Sequence, residues 1–169
     1  MAELINIIGE TRKQKYESLI PQLKALVEGE KDLIANISNI MSGLKYGMDF
    51  FWVGIYFASS SEALAKDGQG DELILGPFQG TVACTRIKKG KGVCGTCWEK
   101  KETMIVNDVA QFPGHIACSA NSRSEIVIPI MKAGEVFAVL DVDSDKLNDF
   151  TEVDKIYLKE VASLIEKLI

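Results

Sequence analysis

Two apolar runs near the C-terminal end, Ser124 to Met131 and Val136 to Val142, are separated only by Lys132-Ala133-Gly134-Glu135. Both runs are rich in β-branched residues, and so short a glycine-containing link reads as a hairpin turn between two antiparallel strands. Four more segments carry the same β-branched and aromatic signature: Phe51 to Ala58, Glu72 to Phe78, Gly80 to Cys84 and Thr103 to Val106. The ends of the chain follow a different period. Leu33, Ile34, Ile37, Ile40, Met41 and Leu44 recur at helical spacing, as do Val153, Ile156, Tyr157, Val161, Leu164, Ile165 and Leu168. An earlier helix is expected over Lys13 to Glu28, interrupted or restarted near Pro21. Thr151 followed three residues later by Asp154 predicts a capping box at the start of the last helix. Helices at both ends of an antiparallel sheet predict an α+β domain.

At 169 residues the chain is expected to form one domain. Residues 1–48 would supply N-terminal helices, 49–145 the sheet and its loops, and 150–169 the C-terminal helix. Ser59 to Gly70 is polar and reads as a loop without an assigned role. A hydrophobic content of 47% suffices for a core without disulfide staples. The net charge of −5, with Lys88, Lys89 and Lys91 as the one short basic cluster, argues against a nucleic-acid partner. No apolar run approaches the length of a membrane span, and no secretory leader is evident at Met1. A reducing cytoplasm is the expected location.

Residues two apart on a strand share a face. Val136, Ala138, Leu140 and Val142 should therefore face one way, and Phe137, Val139, Asp141 and Asp143 the other. Across the hairpin, Glu125 is expected near Asp141 or Asp143. Like charges so placed would keep at least one acid protonated near neutral pH. Trp52, Gly54 and Tyr56 share a face of the first strand and suit a pocket wall with a hydroxyl handle. The alternatives are a solvated strand end for the acids and plain core packing for Trp52 and Tyr56. Gly90, Gly92 and Gly95 match no phosphate-binding fingerprint and read as turn residues.

Cys84, Cys94, Cys97 and Cys118 admit three readings. Together with His115, the only histidine, they could bind zinc, although a single Cys94-x-x-Cys97 pair falls short of the usual two knuckles. A thioredoxin-type motif would open a helix inside a βαβ unit, whereas here a glycine-rich turn precedes Cys94. The third reading is a nucleophilic cysteine whose sulfenic acid condenses with a second thiol. His115, in a Phe-Pro-Gly-His loop, could serve Cys118 as a base or be a surface polar residue.

The motifs taken in order resemble the free methionine-(R)-sulfoxide reductases, stand-alone GAF-domain enzymes. The resemblance rests on Leu75-Gly76-Pro77-Phe78-Gln79-Gly80, Ala83-Cys84-Thr85-Arg86-Ile87, Gly90-Lys91-Gly92-Val93-Cys94-Gly95 and Gly114-His115-Ile116-Ala117-Cys118. It continues through Ser124-Glu125-Ile126-Val127 and Leu140-Asp141-Val142-Asp143-Ser144. Cys97 stands where the family has a small residue, and Ser119 where an acid is common. The resemblance implies a six-stranded antiparallel sheet flanked by helices, with a closed pocket on one face. It also implies Cys118 as nucleophile, Cys94 or Cys84 as resolving thiol with Cys94 favoured, and Glu125 or Asp143 as proton donor. Trp52, Tyr56, Glu125, Asp141 and Asp143 would bind free methionine sulfoxide, with Asp141 taking the ammonium group. No bound cofactor and no metal are implied. Thioredoxin would be the external reductant, and a homodimer is compatible with the pattern. A non-catalytic GAF sensor of small molecules is the alternative.

Overall fold

A computed structural model describes residues 4–59, 71–116 and 119–169. The loop read at Ser59 to Gly70 lies outside the described residues apart from Ser59, as do Ala117 and Cys118. Two helices, α1 (Arg12–Leu26) and α2 (Leu33–Met48), lead into strands β1 (Trp52–Ser59), β2 (Glu72–Gln79) and β3 (Arg86–Lys88). Helix α3 (Gly92–Lys100) and strand β4 (Met104–Val106) follow, and then β5 (Ser124–Lys132), β6 (Glu135–Ser144) and helix α4 (Glu152–Glu166). The six strands form one antiparallel sheet in the order β3-β2-β1-β6-β5-β4, as the family resemblance implied.

The two faces of the sheet bury different chemistry. Val53 and Ile55 of β1, Ile126, Ile128 and Ile130 of β5, and Ala138, Leu140 and Val142 of β6 pack beneath α1, α2 and α4. Trp52, Tyr56, Val127 and Val139 point to the opposite face, where α3 closes a smaller cluster containing Cys94, Cys97 and Trp98. The expected alternation on β6 fails near the turn. Ala138 pairs with Ile130 and Val136 with Met131, so Phe137 is the unpaired residue of a bulge. The bulge sends Val136 to the α3 face and turns Phe137 toward the helical face.

Three further expectations are corrected. The third strand is Arg86–Lys88, not Gly80 to Cys84. Pro21 neither interrupts nor restarts α1 but lies inside it, on its exposed side, while Tyr16, Leu19, Ile20 and Leu23 hold the buried side. The glycine-rich stretch around Cys94 is not all turn: Gly92 opens α3 and Gly95 lies within it. A Cβ on Gly95 would stand 2.3 Å from the Lys88 carbonyl oxygen, so glycine is what lets this helix press against β3.

The predicted capping box at Thr151 and Asp154 is present and extends into the core. Asp154 Oδ2 accepts from the Thr151 amide at 2.8 Å, and Oδ1 accepts from Arg12 Nε at 2.6 Å and from the Tyr16 hydroxyl at 2.9 Å. One carboxylate thus caps α4 and ties it to α1. Asp154→Ala removes the cap and leaves Arg12 and Tyr16 without that acceptor. Because Arg12 retains 30% side-chain exposure, we expect a loss of about 2–3 kcal/mol, below that of a fully buried pair. Denaturant unfolding monitored by circular dichroism measures it.

Candidate active site

The hairpin register assembles three carboxyl groups. Glu125 lies opposite Asp143 and Val127 opposite Asp141, and all three acids belong to the face away from α1, α2 and α4. On the other side of β6, β1 sets Trp52 against Asp143 and Gly54 against Asp141. Gly54 is required there because a Cβ would come within 2.3 Å of the Trp52 ring. The indole therefore folds back over the strand. It stacks on Phe78 at 5.5 Å and on Tyr56 at 6.2 Å between ring centroids.

These rings also fasten the segment that carries Cys84. Trp52 Nε1 donates to the Thr81 carbonyl and the Tyr56 hydroxyl to the Cys84 carbonyl, each at 3.0 Å. Cys84 is disulfide-bonded, whereas Cys94 and Cys97 are free and buried. Helix α3 brings the Cys94 thiol to 3.8 Å from Glu125 Oε1. Cys97 instead points at the Val127 carbonyl, 3.7 Å away, and behaves as a packed core residue. Two adjoining cavities meet at Asp141, Asp143 and Ser119. One is walled by Cys94, His115, Ile116 and Glu125, and the other by Trp52, Tyr56, Thr81 and Ala83.

Burial dominates the electrostatics. Glu125 is held far above its ordinary carboxyl value by burial first, and then by the charges of Asp141 and Asp143. Asp141 is raised by burial and by Asp143. Asp143 is pushed up by burial to about 7, against the lowering effect of a hydrogen bond from Ser122. Burial, followed by the nearby acids, raises the Cys94 thiol. Asp141 hydrogen-bonds with Cys94 and Glu125, yet its Oδ1 has no partner among the described residues. His115 Nδ1 is likewise buried without a partner among the described residues, and burial lowers the imidazole below its ordinary value. The arrangement is a proton-holding trio with a thiol at its edge and an aromatic wall beside it.

Residues 28–169 match the GAF domain family. GAF domain-containing protein A of Dictyostelium discoideum is 49% identical over 166 residues, spanning 98% of this chain and 99% of that protein. Free methionine-R-sulfoxide reductase of Saccharomyces cerevisiae is 39% identical over 173 residues, spanning 98% of this chain and 92% of the yeast protein. The X-ray structure of free methionine-R-sulfoxide reductase from Neisseria meningitidis, determined with its substrate, superposes with a TM-score of 0.90. It is 42% identical and covers 98% of this chain and 94% of its own. The chain belongs to the free methionine-(R)-sulfoxide reductase family of GAF-domain proteins.

Within this reductase-family fold, the structure gathers Glu125, Asp141, Asp143, Trp52, Tyr56 and Cys94 around one site, and Tyr56 holds the backbone at Cys84. Cys118 falls outside the described residues, although His115, Ile116 and Ser119 on either side of it in sequence all line the cavity. Sequence reasoning missed Ser122, which is buried and hydrogen-bonded to Asp143. No periodicity marks a loop serine, so only the three-dimensional arrangement reveals it. It also missed Ile87 and Ile116 as lining residues.

The trio makes stability depend on pH in a definite direction. A carboxyl whose folded pKa exceeds its unfolded value binds more protons when folded, so folding weakens as pH rises between the two values. For Asp143 that window runs from 3.8 to about 7, and the raised Glu125 and Asp141 act in the same sense. The protein should be more stable near about pH 5 than near about pH 8, by on the order of 3 kcal/mol. Thermal unfolding across that range tests this, and Asp143→Asn should flatten the slope.

Proposed function

We propose that this chain reduces free methionine-(R)-sulfoxide to methionine, using Cys118 as nucleophile. The observation that carries the reading is the convergence of Glu125, Asp141 and Asp143 on adjoining cavities beside Trp52 and Tyr56, in a chain of this reductase family. The Neisseria relative is described in complex with its substrate, and family membership brings that substrate class to this chain.

The Cys118 thiolate attacks the sulfoxide sulfur. Oxide is too poor a leaving group to depart alone, so the oxygen takes a proton from Glu125 or Asp143 as the S–O bond breaks. The protonated oxygen passes from the substrate sulfur to the Cys118 sulfur as the transient bond between the two sulfurs breaks, so the substrate sulfur gains two electrons, the Cys118 sulfur loses two, and methionine departs from a Cys118 sulfenic acid. A second thiol then attacks that sulfur, water leaves, and a disulfide forms. We assign this resolving step to Cys84 rather than Cys94. Cys84 is the described cysteine that is disulfide-bonded, whereas Cys94 stands as a free thiol against Glu125. Thioredoxin or a similar dithiol supplies two electrons to restore both thiols. Asp141, with one oxygen that has no partner among the described residues, suits the substrate ammonium, a group that methionine sulfoxide inside a peptide lacks. Trp52 packs the thioether.

An NADPH-coupled thioredoxin assay on separated epimers tests the proposal, with a sulfoxide-containing peptide alongside. Turnover of the free R epimer alone is expected. No turnover with either thioredoxin or dithiothreitol would abandon the reductase in favour of a ligand-sensing GAF module.

A further inference from the structure

Cys94 Sγ and the carboxylates of Glu125 and Asp141 offer ligand atoms that all lie within 4.8 Å of one another. The three residues come from α3, β5 and β6, so three packed elements fix the spacing. Ligands around a tetrahedral zinc ion, with Zn–S near about 2.3 Å and Zn–O near about 2.0 Å, are separated by about 3.3–3.6 Å. The 3.8 Å between Cys94 Sγ and Glu125 Oε1 is already close to that. Two buried polar atoms add to the cluster. Asp141, only 6% exposed, keeps Oδ1 buried, and His115 Nδ1 is buried on the wall of the same cavity, each without a partner among the described residues. A thiolate with two carboxylates and a nearby imidazole suits a borderline-soft divalent cation, whereas magnesium and calcium prefer oxygen alone.

From this geometry we infer that Cys94, Glu125 and Asp141 form a binding site for a Zn2+-class divalent cation, which occupies the substrate cavity and excludes the substrate. The cation acts as an exchangeable inhibitor, distinct from a resident cofactor. It takes the place assigned above to the substrate ammonium, and that second part rests on the proposed function. The first part, cation capture, does not. The four-cysteine zinc set considered from the sequence is a different site: Cys97 faces the Val127 carbonyl and Cys84 is disulfide-bonded.

Anaerobic titration of the full chain with Co2+, without added reductant, provides the test. In this state Cys94 and Cys97 are the described free thiols. A thiolate-to-cobalt charge-transfer band that saturates at one equivalent and is discharged by Zn2+ is the expected result. The band should vanish in Cys94→Ser, persist in Cys97→Ser, and need at least about tenfold more Co2+ in Asp141→Asn. Circular dichroism on each variant separates lost ligands from lost fold, and Asp141→Asn decides the matter where Cys94→Ser is unfolded. A folded wild-type protein without the band, or an equal band in folded Cys94→Ser, overturns cation capture. Free methionine sulfoxide should raise the Co2+ concentration needed for half-saturation. A Co2+ curve unmoved by methionine sulfoxide in protein that turns it over overturns the exclusion. Absence of turnover in metal-free protein would instead count against the reductase reading and leave the charge-transfer result standing.

Discussion

Cys118→Ser is expected to abolish methionine formation even in a single turnover, whereas Cys84→Ser and Cys94→Ser should each complete one. The distinction follows from electron flow. The first two electrons reach the substrate from the attacking sulfur itself, and a serine hydroxyl cannot be oxidised to a sulfenic acid equivalent. A first-turnover rate reduced by at least about a thousandfold is the expected size for a lost nucleophile. Cys84→Ser should stall afterwards, with the sulfenic acid on Cys118 open to trapping by dimedone, because its resolving thiol is gone. Cys94→Ser should cycle, since its thiol contacts Glu125 and remains unoxidised where Cys84 is bonded. Rapid-quench methionine analysis with mass spectrometry of the trapped adduct reads all three. Full first-turnover activity in Cys118→Ser would remove it from the role of nucleophile. Stalling of Cys94→Ser in place of Cys84→Ser would return the resolving step to Cys94.

Period-2 alternation makes the acid trio legible in the sequence itself. Glu125 opens one strand, Asp141 and Asp143 close the next, and the Lys132–Glu135 turn fixes how they meet. The same logic placed Trp52 and Tyr56 together. It failed where local propensity and tertiary contact diverge. Gly80 to Cys84 contains Thr81 and Val82 and reads as a strand, yet its Thr81 and Cys84 carbonyls are taken by the Trp52 indole and the Tyr56 hydroxyl. The real β3 is three residues long, with a single apolar residue, Ile87, between Arg86 and Lys88, too short to show a period. Helix α3 hides behind Gly92 and Gly95, residues of poor helix propensity. The close approach of Gly95 to the Lys88 carbonyl, visible only in space, is what explains its glycine. The bulge at Phe137 lies beyond a pattern that assumes strict pairing.

Glu125→Gln tests whether the trio delivers the proton. Glu125 is the acid most surrounded by other acids, with Asp141 and Asp143 both raising it and Cys94 beside it. Held well above its ordinary carboxyl value, it keeps a proton to give to the sulfoxide oxygen while Asp143, near 7, resupplies one from the cavity side. Gln preserves the volume and an N–H donor but has no proton to transfer. The first-turnover rate should fall by roughly 10^2–10^3-fold, the usual contribution of a positioned general acid. The effect should fall on kcat more than on KM, since Gln still fills the wall. Loss of the Glu125 proton shapes the alkaline limb of the wild-type rate profile when Glu125 is the donor, so that limb should be missing in the variant. A purely structural role for Glu125 would instead lower stability and leave that limb in place. A Glu125→Gln protein with an unchanged first-turnover rate would transfer the donor role to Asp143, whose own Asn variant would then carry the loss.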